Sequence, residues 1–275
     1  MRLPLLLLLI TGLFFASCGD YQKVLRKDDM AKKYAYADSL YQKKKYKKAL
    51  KLMEQLVPAY RGKPQAQKLM FIYANTYYEL GDYFQSGYQF ERFVQAYPQS
   101  DSVEVAFFRS AKSFYNLSER YSLDQQETYR GMEKLQAFIN AYPNSDLREM
   151  ANQMVVELRT KLERKKFEVV KQYYRLEAPW RPANLKAAIA AADNFIKDNP
   201  GSIFREEAFL IRLKAAHELA INSIPTLKEE RLRDAEKHYN SYIRYFKDGE
   251  FSKEANEIHT DIEKRLAAYN QETTI

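Results

Sequence analysis

The chain has 275 residues, 46% hydrophobic and 29% charged, enough apolar material for one large domain or two small ones, which excludes a disordered polyelectrolyte. Only 8 residues are glycine, which argues against turn-dense architectures and glycine-rich phosphate loops; the net charge of +8 is a modest excess that suits solubility, an anionic partner or a membrane surface. The 22 Tyr and 16 Phe against a single Trp fit helices packed on helices, with one face left for a partner.

Residues 1–17 read as a secretory signal, with Arg2 as the positive start, an apolar stretch from Leu5 to Phe15, and small residues Ala16 and Ser17 before Cys18. The stretch is too short for a mature spanning helix, which needs roughly 20 residues. Phe15-Ala-Ser-Cys18 resembles a bacterial lipobox, which implies diacylglyceryl transfer to the Cys18 sulfur, cleavage before it and acylation of the new amino terminus. Gly19, rather than Asp, follows the cysteine, and lipoprotein sorting then favours the outer membrane. Cys18 is the only cysteine, so disulfides are excluded. Residues 18–29 are expected to be a tether, and the lipid anchor is the expected link to the membrane.

From there the chain is self-similar. Tyr83–Asp101 aligns with Thr128–Asp146; each has an apolar pair at i, i+3 and a Tyr-Pro ending, Phe90, Phe93, Tyr97-Pro98 in one and Leu135, Phe138, Tyr142-Pro143 in the other. Weaker copies lie at Tyr46–Tyr60, Leu185–Pro200 and Ala235–Lys247, each preceded by a second helical pattern, the best being Gln67–Leu80 closed by Gly81-Asp82. This order resembles the tetratricopeptide repeat. Small residues, Ala74 and Ser86 among them, fall where paired helices cross, and Pro98 ends a unit because it cannot continue a helix. From Ala49 through Ser86, Gly131 and Ala188 to Ala235 the units recur after 37, 45, 57 and 47 residues, against a basic repeat of about 34, so the linkers are extended. The clearest insertion is 118–127. No Gly or Pro occurs between Pro143 and Pro179, which predicts one long helix or two collinear ones. The expected fold is an all-α, tetratricopeptide-like solenoid of about five helix pairs, in two lobes joined by a long helix: 30–143 in front, with repeats 1 to 3, and 144–270 behind, with repeats 4 and 5 and a terminal helix.

In such repeats the first helix of each pair lines the concave face. The first three superpose at a 37-residue offset, placing rings at Tyr34, Phe71 and Phe108 and, two turns on, at Tyr41, Tyr78 and Tyr115, with Asp38, Asn75 and Lys112 between. Two readings fit: an aromatic groove for an extended, aromatic-bearing peptide, or rings packed sideways between neighbouring repeats. The peptide-binding candidates are Tyr34, Tyr41, Phe71, Asn75, Tyr78, Phe108, Arg109, Lys112 and Tyr115. Arg109 alone stands where related repeats grip a peptide carboxylate, which disfavours a chaperone-tail clamp. Lys43, Lys44, Lys45, Lys47, Lys48 and Lys51 surround the first inter-helix turn, as a headgroup-facing patch or a solvated face. Trp180, between Pro179 and Pro182, reads as a loop anchor or a sugar platform.

No catalytic constellation, metal set or cofactor motif is found. His217, His238 and His259 fall 21 residues apart, which is no metal spacing, and phosphate loops and dinucleotide fingerprints are absent. An exported lipoprotein does not ordinarily meet nucleic acid.

The lipobox, the five repeat-like units, the Asn140-Ala-Tyr-Pro-Asn-Ser145 string, the extended third turn before it with Leu123, Asp124, Gln125 and Thr128, and Tyr173-Tyr174 followed by Trp180 together resemble the BamD family. These are lipoproteins of the outer-membrane β-barrel assembly machinery. The resemblance implies a non-enzymatic scaffold whose rear lobe docks the barrel subunit, BamA-type, and whose front lobe recognises the aromatic-ended strand of unfolded outer-membrane proteins. Periplasmic tetratricopeptide adaptors for envelope or peptidoglycan enzymes share the repeats, usually without such a cysteine.

Overall fold

The computed structural model describes residues 19–176 and 182–272. The signal segment, Cys18 and Trp180 lie outside them. Every regular element described is helical: α1 (19–26), α2 (Met30–Gln42), α3 (Tyr46–Ala59), α4 (Ala66–Glu79), α5 (Tyr83–Ala96), α6 (Val103–Asn116), α7 (Gln126–Ala141), α8 (Arg148–Arg175), α9 (Pro182–Asp198), α10 (Arg205–Ile221), α11 (Pro225–Phe246) and α12 (Ser252–Glu272). Helices α2 to α11 form five successive pairs and α12 closes the chain, which is the expected solenoid. Of the two alternatives for the Gly- and Pro-free stretch, the single helix is found: α8 runs unbroken for 28 residues.

Local chemistry sets the boundaries. The Asp29 and Asp82 carboxylates accept the backbone N–H of Lys32 (2.9 Å) and Gln85 (3.1 Å), capping α2 and α5. A repeated stop signal, Pro-x-Ser, follows α5, α7 and α9. In each copy the serine hydroxyl accepts a backbone N–H two residues on: Ser100 from Ser102 (3.1 Å), Ser145 from Leu147 (3.0 Å) and Ser202 from Phe204 (3.2 Å). Proline halts one helix and serine shapes the turn into the next.

Small residues let the helices approach. A Cβ on Gly87 of α5 would lie 2.9 Å from the Phe114 ring of α6, and one on Gly131 of α7 would lie 3.2 Å from the Phe114 backbone oxygen. Helix α6 is thus clasped by its neighbours where a side chain would not fit. Ala49, Ala74, Ala188 and Ala235 are likewise fully buried.

The chain forms two compact units, one comprising residues up to Glu119 and Gln125–Leu158, the other Arg120–Asp124 and Arg159 onward. This division falls inside α8, beyond the 143/144 boundary read from the sequence. In the front unit, successive helix pairs bury Leu52, Met53, Leu56, Phe90, Phe93, Phe114, Leu135 and Phe138. The segment expected as a tether needs correction: 19–26 is helical, with Tyr21 and Val24 buried in the same cluster as Leu52 and Leu56. Tyr21, Val24 and Leu25 make one apolar helical face, and that face packs.

In the rear unit α10 is the central helix. Its residues Ala208 to Leu213 are buried without interruption, so it is enclosed on several sides rather than along one stripe. Residues 120–124 of the 118–127 insertion belong here: the Lys165 ammonium donates to the Leu123 carbonyl (2.5 Å) and the Arg164 guanidinium lies 4.3 Å from the Tyr121 ring. The buried Arg212 of α10 joins Asp193 of α9 (2.6 Å) to Ser241 of α11 (3.0 Å) and stands 4.7 Å over Phe209. Beside it, burial holds the His238 imidazole below its ordinary range, and the Arg212 charge adds to the effect. The folded pKa then lies under the unfolded value of about 6.5, so the unfolded chain takes up the proton first and stability falls as pH drops from 7 toward 5. His238→Gln is expected to flatten that limb of the melting-temperature profile; parallel profiles for the two proteins would refute it.

Candidate interaction face

The two ring sets read from the sequence have different fates, and the second helix of each pair decides them. Tyr34 stacks on Tyr60, the residue that caps the end of α3 (centroids 5.2 Å), Phe71 meets Phe90 and Phe93 of α5 edge-on (5.5 Å each), and Phe108 meets Phe138 of α7 (5.3 Å). This set packs within the repeats. Phe108, only 5% exposed, is therefore removed from the groove, and Phe71 and Tyr34 are half-buried flanks of the core.

The other set keeps polar atoms near the surface. The Asn75 amide donates to the Tyr41 hydroxyl (2.7 Å) and accepts from the Arg109 guanidinium (2.6 Å), which lies 5.4 Å over the Tyr78 ring. Asn116 donates to the Tyr78 hydroxyl (3.1 Å). One strip thus runs from α2 across α4 to α6: phenol, amide, guanidinium, phenol ring. Asn75 is itself buried, with both ends of its amide engaged, so the expectation of direct contact with a peptide is corrected: it orients Tyr41 and Arg109. Burial is the main cause that raises the Tyr41 hydroxyl above its ordinary range. Tyr115 donates to the Glu157 carboxylate of α8, which with burial pushes its pKa up to about 12. Both phenols stay protonated at any physiological pH.

Among the described residues Lys112 is half-buried and joins no ion pair. Asp38 is paired with Lys68 (3.0 Å) at the Tyr34 end of the strip. Sequence reading missed Asn116 and Glu157; Asn116 directly follows the ladder ring Tyr115, a signal that was available, whereas the reach of Glu157 back to α6 depends on how α8 packs. The strip offers half-buried phenol rings and one guanidinium whose remaining N–H groups can meet a carboxylate or carbonyl oxygen. No group of three or more potential metal ligands occurs among the described residues, and no helix among them is long and apolar enough to cross a membrane.

Successive helix pairs, with small buried residues where they cross, place the chain in the class of tetratricopeptide-like helical-repeat proteins. A family model described as YfiO, outer membrane lipoprotein, matches residues 26–184, more than half of the chain. The chain belongs to that family, the BamD-type outer-membrane lipoproteins, as the sequence motifs implied. Among solved structures it is similar to the TPR2AB domain of yeast Sti1 in its pHSP90 complex, 13% identical, covering 85% of this chain and 98% of that one with a TM-score of 0.37. No curated protein matches the chain.

Proposed function

We propose that this protein is a non-enzymatic scaffold of β-barrel assembly at the outer membrane, held there by lipid on Cys18. In this reading 30–143 receives unfolded outer-membrane proteins and 144–270 docks the barrel subunit. Family membership across 26–184 carries the reading. The strip supports the client role: an extended segment ending in an aromatic residue has a ring to set against Tyr41 or Tyr78 and a carboxylate for Arg109. A transient client has to be released, so micromolar affinity, about 8 kcal/mol, is sufficient.

The test is photo-crosslinking in intact cells of the source bacterium, with benzoyl-phenylalanine placed at Tyr78 in the front unit and, separately, at the exposed Ile203 and Tyr245 in the rear unit. The expected result is capture of unfolded outer-membrane proteins from Tyr78 and of the barrel subunit from a rear position. Barrel-subunit adducts from Tyr78 alone would reverse the lobe assignment, and capture of neither class anywhere would remove the proposal.

A further inference from the structure

Six lysines crowd nine positions around the α2–α3 turn: Lys43, Lys44, Lys45, Lys47, Lys48 and Lys51. All six are exposed, and among the described residues none forms an ion pair. The electrostatics of this arrangement are unfavourable in isolation. Lys45 is the N-cap of α3 and provides no side-chain cap, the first turn contains no acidic residue, and Lys47 and Lys48 add positive charge at the positive end of the helix dipole. Lys44 even adopts a left-handed backbone (φ 55). Between Lys44, Lys45, Tyr46, Lys47, Lys48 and Leu80 lies an open concavity of about 510 Å³.

Helix α1 ties this surface to the amino terminus. The buried Tyr21 donates its hydroxyl to the Lys48 carbonyl (3.3 Å), and the Lys48 ammonium lies 5.3 Å from the Tyr21 ring. Cys18 precedes Tyr21 by three residues, so even a fully extended link places it within about 11 Å of Tyr21. That is close to the Debye length of about 8 Å at physiological salt. Acyl chains inserted from Cys18 would thus bring the lysines within range of the headgroup charge.

We propose that the lysine-rich α2–α3 turn is the membrane-facing surface of the front unit and binds the phosphodiester headgroups of anionic phospholipids beside the anchor. The proposal rests on the lipid anchor at Cys18 inferred above. Charge complementarity and the short link from Cys18 select the lipid surface over other anions. The turn supplies an electrostatic second attachment that fixes which side of the lobe faces the bilayer.

The test uses the mature chain from residue 18 with Cys18→Ser, so that no acyl chain contributes, in sedimentation with vesicles. Binding is expected to vesicles containing about a third phosphatidylglycerol, to be absent on phosphatidylcholine, to weaken at high salt, and to persist in millimolar inorganic phosphate. Changing Lys44, Lys45, Lys47 and Lys48 together to Glu should lower the vesicle affinity at least tenfold. The same four changed to Gln should lower it less, which keeps the test valid if the reversed charges disturb folding. A control of equal charge change, Lys186, Lys197, Lys253 and Lys264 to Glu, should retain most of the binding. Equal loss in both Glu variants, equal binding to neutral vesicles, or no binding to anionic ones would overturn the proposal. Labelling of the wild type with palmitate separates the two ideas: an unlabelled chain whose Cys18→Ser form still binds through these lysines would remove the anchor and keep the surface.

Discussion

Phe138→Ala is expected to cost about 3 to 5 kcal/mol, the range for deleting a buried phenylalanine and leaving a cavity. Phe138 is fully buried on α7, and its ring lies 5.3 Å from Phe108, 5.5 Å from Tyr142 and 6.1 Å from Phe107. Solenoid stability is close to a sum of repeat and nearest-neighbour terms, so this loss falls on the third pair, α6 with α7, and on its contacts with α8. Urea unfolding of the mature chain measures it. The contrast is Phe84→Ala, on the exposed side of α5 at 53% exposure, where the change should stay within about 0.5 kcal/mol. Similar losses at both positions would contradict the packing described.

Glu206→Ala is expected to be nearly as costly, for a different reason. One carboxylate oxygen of Glu206 on α10 accepts both the Tyr242 hydroxyl (2.7 Å) and the backbone N–H of Phe251 (3.0 Å), joining α10 to α11 and to the turn before α12. Tyr242 is fully buried, and burial together with that carboxylate raises its pKa far above the ordinary range. Removing the acceptor leaves both donors unpaired, and hydrogen bonds to a charged group contribute about 1.5 to 3 kcal/mol each, so a loss of about 3 to 4 kcal/mol is expected, at the lower end of the two combined because Glu206 is only half-buried. Glu206→Gln keeps an acceptor oxygen and should lose less than half of that. Indistinguishable melting midpoints for the Ala and Gln variants would show that the shared oxygen is not what holds these helices.

Helix pairing was legible because its signals are local. Tyr97-Pro98, Tyr142-Pro143 and Gly81-Asp82 fix helix ends wherever the helices later pack. The ring ladder was half legible. A seven-residue spacing shows that Phe71 and Tyr78 share a face of α4, but not that Phe90 and Phe93 of α5 close over the first while the second stays at the surface. Asn75 looked like a contact residue because it is polar and lies on that face, whereas the structure spends its amide on Tyr41 and Arg109. Residues 19–26 looked like linker because so short a helix is unstable alone; Tyr21 and Val24 are held in a cluster with α2 and α3, which a local pattern does not show. Glu206 had no sequence signal, since its partners lie 36 and 45 residues away.

Helix α1 also sets a length. Folded against α2 and α3, it leaves only the short link to Cys18, so lipid on that residue, as proposed above, would keep the front unit within a small-molecule's length of the bilayer. Unwound, 19–29 would stretch to about 36–40 Å, a reach comparable to the thickness of a membrane. The difference rests on little more than the burial of Tyr21 and Val24 and one hydroxyl contact to Lys48. Those two side chains thereby determine how much slack lies between the front unit and residue 18.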